Sequence, residues 1–154
     1  MTRYSIVFAA LLLAGGLRAS HAEDINVSIL VVLASEEHKN IDDKIKAVAE
    51  EIQKKNPKLT GFRLDRTINQ TLEPGKTHKM ILIDKAELEI VADKRREGED
   101  KITLTVTPPT LGRIVYTCAC GKYMPMLTQY TNDRKERLVI VVMAKPCTRE
   151  AKDK

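Results

Sequence analysis

The chain is short of the residues on which several kinds of chemistry depend. It has no tryptophan, and aromatic residues make up only 4% of its 154 positions, so a stacking platform for single-stranded nucleic acid is poorly supplied. Its 7 glycines are scattered and build no glycine-rich phosphate loop. It has no Gly-x-Ser-x-Gly elbow to expose a nucleophile and no His-Glu-x-x-His zinc motif. Cys-x-x-Cys is absent as well, so no helix dipole is placed to activate a redox thiol. No large excess of one charge is present either. Lys and Arg number 26 against 21 Asp and Glu, and the two signs are interleaved, as in Asp93-Lys94-Arg95-Arg96-Glu97. Such a pattern makes a mixed solvated surface, with no basic stripe for nucleic acid.

What is present is an ordinary globular composition, 43% hydrophobic and 31% charged, at a length that suits one domain. Residues 1–22 read as a signal peptide. Arg3 gives the positive start, an apolar stretch follows, and Ser20-His21-Ala22 places small residues before Glu23. The apolar run of about 14 residues is short of the ~20 needed to span a bilayer. Cleavage takes two arginines off a net charge of +5 and leaves +3. The mature chain is then expected to be exported, periplasmic or extracellular, without stable membrane insertion. It comprises one domain over residues 23–148 and a charged tail over 149–154.

Within that domain, residues 25–34 form an apolar, β-branched run that predicts a strand buried on both faces. Ile41, Ile45, Val48 and Ile52 recur with helical spacing. Asn40 is the expected N-cap, Asp42 and Asp43 suit the positive helix end, and Asn56-Pro57 is the stop. After Gly61 the period becomes two, through Phe62, Leu64 and Ile68. Glu73-Pro74-Gly75-Lys76 is a turn, and residues 80–83 are short and apolar. Leu88, Ile90 and Ala92 alternate with Glu87, Glu89 and Val91. Residues 93–100 read as a hairpin tip, and Ile102, Leu104 and Val106 alternate with threonines. Strands are expected over 113–120, 123–130 and 138–144, with a turn at Thr131-Asn132-Asp133-Arg134. The expected fold class is α+β: one amphipathic helix packed on a single, mainly antiparallel sheet, running β-α-β and then a β-meander.

The three cysteines are the most distinctive feature. Cys118 and Cys120 share one face of a strand, so a bond between them would be strained. Export favours oxidation, and one of the two is expected to pair with Cys147. A single long hairpin over 113–147 would set Cys118 opposite Cys147; a turn at Gly121-Lys122 would break that pairing. The third cysteine is left as a buried thiol, an intermolecular link or a ligand. Cys118, Cys120, Met124 and Met126 form a soft donor set suited to copper(I), with His78 or Met143 to complete it. The alternative is that the methionines fill core gaps. Ser35 and His38 sit at a strand-to-helix junction and are the only hydrolase pair to consider, against a plain polar connection.

The ending Val32-Leu33-Ala34-Ser35 of the first strand, the Asp42/Asp43 helix, Gly61-Phe62-Arg63-Leu64, and the closing Leu138-Val139-Ile140-Val141-Val142 followed by Lys145-Pro146 resemble short exported bacterial proteins of unknown function, of a kind abundant in planctomycetes. The resemblance implies export and an α+β, sandwich-like fold. It implies no catalytic residue, and the cysteine set departs from it. The expected function is a non-enzymatic envelope binding or interaction module whose partner is a protein or other envelope component met along an exposed strand edge. The alternative is a periplasmic copper or thiol-redox protein built on the Cys-x-Cys strand.

Overall fold

The computed structural model describes residues 24–93, 101–119 and 121–145, without the side chain of Cys118. Residues 1–22, where a signal peptide is expected, most of the 93–100 tip, Cys120, Cys147 and the expected charged tail lie outside the described residues.

The first strand, β1 (Ile25–Ser35), is the apolar run. Its odd-numbered residues from Ile25 to Leu33 and its even-numbered Val32 and Ala34 enter two different cores. The closing strand, β8 (Arg137–Ala144), divides in the same way: Leu138, Ile140 and Val142 face one core, Val139 and Val141 the other. β1 and β8 pair antiparallel at the centre of one sheet. They are flanked by β2 (Gly61–Leu72) and β7 (Tyr123–Thr131), in the order β2-β1-β8-β7.

The chain between β1 and β2 supplies the cover for one face of that sheet. A 3-10 turn (Asp43–Ile45) leads into α1 (Lys46–Lys55). Ile45, Val48, Ala49 and Ile52 pack on Val32, Ala34, Phe62, Val139 and Val141, with Ile41 at the margin. The N-cap is Asp42, whose carboxylate accepts from the Lys44 amide at 3.0 Å, and not Asn40. The reason lies in β2. The Phe62 amide donates to the Asn40 carbonyl at 2.8 Å, and the Asp42 amide donates to the Phe62 carbonyl at 2.9 Å. This short parallel bridge holds residues 40–42 extended, so the helix starts only after them. At the other end, the Asn56 amide closes the last turn on the Ile52 carbonyl ahead of Pro57.

The remaining strands, β3 (Thr77–Ile83), β4 (Ala86–Ala92), β5 (Lys101–Thr107) and β6 (Ile114–Ala119), form a second antiparallel sheet in that order. The expected meander is thus present, but the expected single sheet is two sheets of four strands each. Leu82, Leu88, Ile90, Ile102, Leu104 and Val106 turn inward and meet Val27, Ile29, Val31, Leu138 and Ile140 of the first sheet. The molecule is three-layered: helix, first sheet, second sheet. The central strands of the first sheet can be apolar on both faces because both faces are covered.

Two connections move the chain between sheets. One is Glu73-Pro74-Gly75-Lys76, closed by the Lys76 amide on the Glu73 carbonyl at 3.1 Å. Gly75 stands there at φ +80°, where a type II turn needs a residue without a Cβ. The other runs through Gly121, at φ +81°. β6 therefore pairs with β5, and β7 with β8. The long 113–147 hairpin is not formed, and Cys118 stands opposite Ile102.

Candidate functional site

The soft donor set is spread over two sheets. Cys118 holds a register position on β6, in the second sheet. Met124 and Met126 lie on β7, opposite Val142 and Ile140 in the first. Met126 is 4% exposed and packs in the core between the sheets, while Met124 is half-buried. Met143 shares the face of Val139 and Val141, opposite to that of Met126. His78 lies on β3, three strands from β6, about 14 Å across a sheet. Its Nε2 accepts from the Glu73 amide at 3.2 Å. Among the described residues, no group of three or more His, Cys, Asp and Glu stands close enough to hold a metal ion.

Ser35 and His38 are each engaged locally. Ser35 is buried, and its Oγ accepts from the Glu37 amide at 3.0 Å. The His38 carbonyl accepts from the Thr60 hydroxyl at 2.7 Å, and its imidazole lies over Gly61. A Cβ on Gly61 would overlap His38 Nδ1 and come within 2.7 Å of the His38 carbonyl oxygen. A cleft of about 320 Å³ opens beside them, lined by His38, Asn40, Asp42, Phe62, Arg63 and Glu136. Its charged feature is an ion pair. Arg63 donates to Glu136 Oε2 at 2.9 Å, and Asn132 Nδ2 donates to the same oxygen at 2.9 Å. The bond from Arg63 holds the Glu136 carboxyl below the usual carboxylate range, opposed by burial and helped by Asn132. The same bond raises the Arg63 guanidinium. Glu136 is thus a stapled carboxylate rather than a poised base. The Asn132 carbonyl and side chain also organise the β7–β8 turn, accepting from the Lys135, Arg134 and Glu136 amides.

The sheet edges differ more than the clefts do. Four strands are edges: β2, β7, β3 and β6. An edge offers unpaired N–H and C=O groups, and proteins usually blunt it with bulges, proline or charge. β2 carries a bulge: Val32 pairs with Leu64 and Val31 with Arg66, which leaves Asp65 without a partner. Arg63, Asp65 and Arg66 crowd charge around it. β7 contains Pro125, its register slips between Leu127 and Thr131, and α1 packs alongside. At the slip the Thr128 hydroxyl donates to the Leu138 carbonyl at 2.8 Å. β3 is irregular between Ile81 and Ile83 and carries Lys79, paired to Glu87 and Glu89. β6 has none of these devices. Its six residues, Ile-Val-Tyr-Thr-Cys-Ala, include no charge, proline or glycine. Its register against β5 runs without a shift from Ile114 to Ala119. Among the described residues, no backbone hydrogen bond reaches Ile114, Val115 or Thr117 from any strand other than β5.

The outer face of the second sheet continues this edge inward. Val115 stands opposite Thr105, which stands opposite Val91, which stands opposite Thr77. Thr117 stands opposite Thr103, with their hydroxyls 2.8 Å apart. Val115 is 59% exposed. That row is threonine and valine, while the same face carries Lys101 on β5 beside β6 and the ion-paired Lys79, Glu87 and Glu89 on β3 and β4. An uncharged run between Arg113 and Lys122 is visible in the sequence; its position at a sheet edge is visible only in the fold.

Comparison with protein families, with curated proteins and with solved structures finds no match.

Proposed function

We propose that the chain is a non-enzymatic exported binding module that receives an extended polypeptide segment of an envelope component along the edge of β6. The observation that carries the reading is the contrast among the four edges: three are blunted and one is regular and uncharged. Strand addition needs that arrangement, because main-chain bonds supply affinity and alternate side chains supply selectivity. Val115 and Thr117 are the outward side chains an added strand would meet. Export follows from the pattern of residues 1–22 and agrees with the resemblance to short exported bacterial proteins.

The test is site-specific photo-cross-linking in the native envelope. A photoreactive residue replaces Thr117 on β6 or, as a control edge, Thr67 on β2. A discrete polypeptide adduct from position 117 and none from 67 is the expected result. Equal labelling at both positions, or none at either, counts against the reading.

A further inference from the structure

We infer that the part of the first sheet's outer face left open by α1 binds a neutral oligosaccharide. The site lies on the other sheet from β6 and does not depend on the reading of that edge. α1 covers Val32, Ala34, Phe62, Val139 and Val141, and its last turn lies beside Pro125 and Leu127. The register shows what remains uncovered. Asn69 stands opposite Ser28, Ser28 opposite Met143, and Met143 opposite Tyr123. Directly opposed residues share a face, so one row crosses all four strands, a span of about 14 Å. Leu30, one step along β1 on the same face, borders the row on the side of α1.

The row joins an aromatic ring to neutral hydrogen-bonding groups. Tyr123 is 47% exposed, and Met143 and Leu30 are half-buried. Ser28 is only 7% exposed, shaded by its larger neighbours, so it makes the floor of a shallow dip. Its hydroxyl has no hydrogen-bond partner among the described residues, and neither has the exposed side chain of Asn69. A polar group so shielded is costly to leave unpaired. A sugar ring fits this surface on both counts. Its C–H faces pack on Tyr123 and Met143, as apolar groups do on an aromatic body. The hydroxyls around its rim pair with Ser28 and Asn69, the few polar groups that fix orientation on an apolar ground. An acyl chain would strip water from Ser28 and Asn69 and return no hydrogen bond. A polypeptide laid across a sheet face meets no main-chain ladder, and its N–H and C=O groups over Leu30 and Met143 would go unpaired. An ionic ligand finds no countercharge in the row; Lys145 follows only after β8 has ended.

The test is an NMR titration of the isotope-labelled mature chain with two neutral sugars, triacetylchitotriose and cellotriose, and with trigalacturonate, which adds a carboxylate to each ring. Saturable amide shifts at Ser28, Asn69 and Tyr123 with at least one neutral sugar, and weaker binding of trigalacturonate, are the expected result. Tyr123→Ala should weaken binding by about tenfold or more, the equivalent of ~1.4 kcal/mol, and Tyr123→Phe should keep it, because the ring remains. No saturable shift with either neutral sugar overturns the inference. So do shifts confined to other surfaces, trigalacturonate bound as tightly as the neutral sugars, or a Tyr123→Ala variant that binds as wild type does. If Tyr123→Ala does not fold, Asn69→Ala on the exposed end of the row decides: weaker binding supports the inference and unchanged binding overturns it. Sugar binding without an adduct at position 117 overturns the β6 reading alone; an adduct without sugar binding overturns this inference alone.

Discussion

Phe62 and Leu72 stand an even number of residues apart on β2 and are buried on opposite faces of it: Phe62 under α1, Leu72 between the two sheets. Side chains on a regular strand alternate, so the two should share a face. Asp65 separates them. It is the residue without a cross-strand partner, and from Arg66 onward every side chain has changed sides.

Deleting Asp65 should therefore be far more damaging than mutating it. Without the extra residue, either Phe62 and Leu64 or Ile68 and Leu72 must leave their core. The deletion variant is expected to lose cooperative urea unfolding followed by circular dichroism. Asp65→Asn keeps the backbone count and loses only exposed ion pairs to Arg63 and Arg66, worth at most about 1 kcal/mol. A deletion variant as stable as Asp65→Asn would show that the strand tolerates a regular register.

Gly61 is held by sterics. Both the ring and the carbonyl of His38 lie where a Cβ would stand. Gly61→Ala should cost about 1–3 kcal/mol by overpacking, measured as a shift of the urea midpoint. Gly61→Ala/His38→Ala should recover only part of that, because the carbonyl remains. Full recovery would place the whole conflict in the imidazole.

Glu136 should make stability depend on acid pH. Its folded-state pKa is depressed, first by the bond from Arg63. The stabilisation is thus complete above the ordinary carboxylate value and is lost as pH falls through the lower, folded value. Glu136→Gln is expected to be less stable than wild type at about pH 7, with the gap closing towards about pH 3. Urea midpoints across that range test it; a gap constant with pH would remove the charge from the explanation.

The thiols should show one disulfide and one free cysteine. The Gly121 amide donates to the Ala144 carbonyl at 2.8 Å. Cys120 immediately precedes Gly121, and Cys147 lies three residues beyond Ala144, within about 11 Å of extended chain. Intact mass after alkylation is expected to show one modified thiol before reduction and three after, on a chain beginning at Glu23. Three before reduction would overturn the disulfide and make anaerobic copper(I) titration the next experiment, with Cys118→Ser/Cys120→Ser as its control.

The parts of the fold that could be read in the sequence are those fixed by local burial. β1 from Ile29 onward and β8 are apolar on both faces and show as runs; the 3-10 turn and α1 show the Ile45, Val48 and Ile52 stripe; β4 and β5 alternate. The division into two sheets left no such mark. Leu88 and Ile90 alternate with glutamates whichever sheet holds them, and Pro74-Gly75 makes the same turn whether it closes a hairpin or crosses between layers. The Asp65 bulge costs one residue in an otherwise even pattern. The candidate site was half legible for the same reason. Residues 114–119 show as an uncharged strand, but an edge is a property of strand order, and strand order is set by long-range packing.

The pairing of β1 with β8 ties the first strand of the domain to the last. A chain emerging from its amino end, from a ribosome or through a membrane pore, has β1 available early and must wait for nearly all of its length before β1 acquires its central neighbour. Helix and meander can form on the way, but the doubly covered sheet cannot close. Folding is then gated by completion of the chain, with the slow kinetics expected of such non-local contacts, and a chain cut short before β8 would leave its most apolar strand exposed.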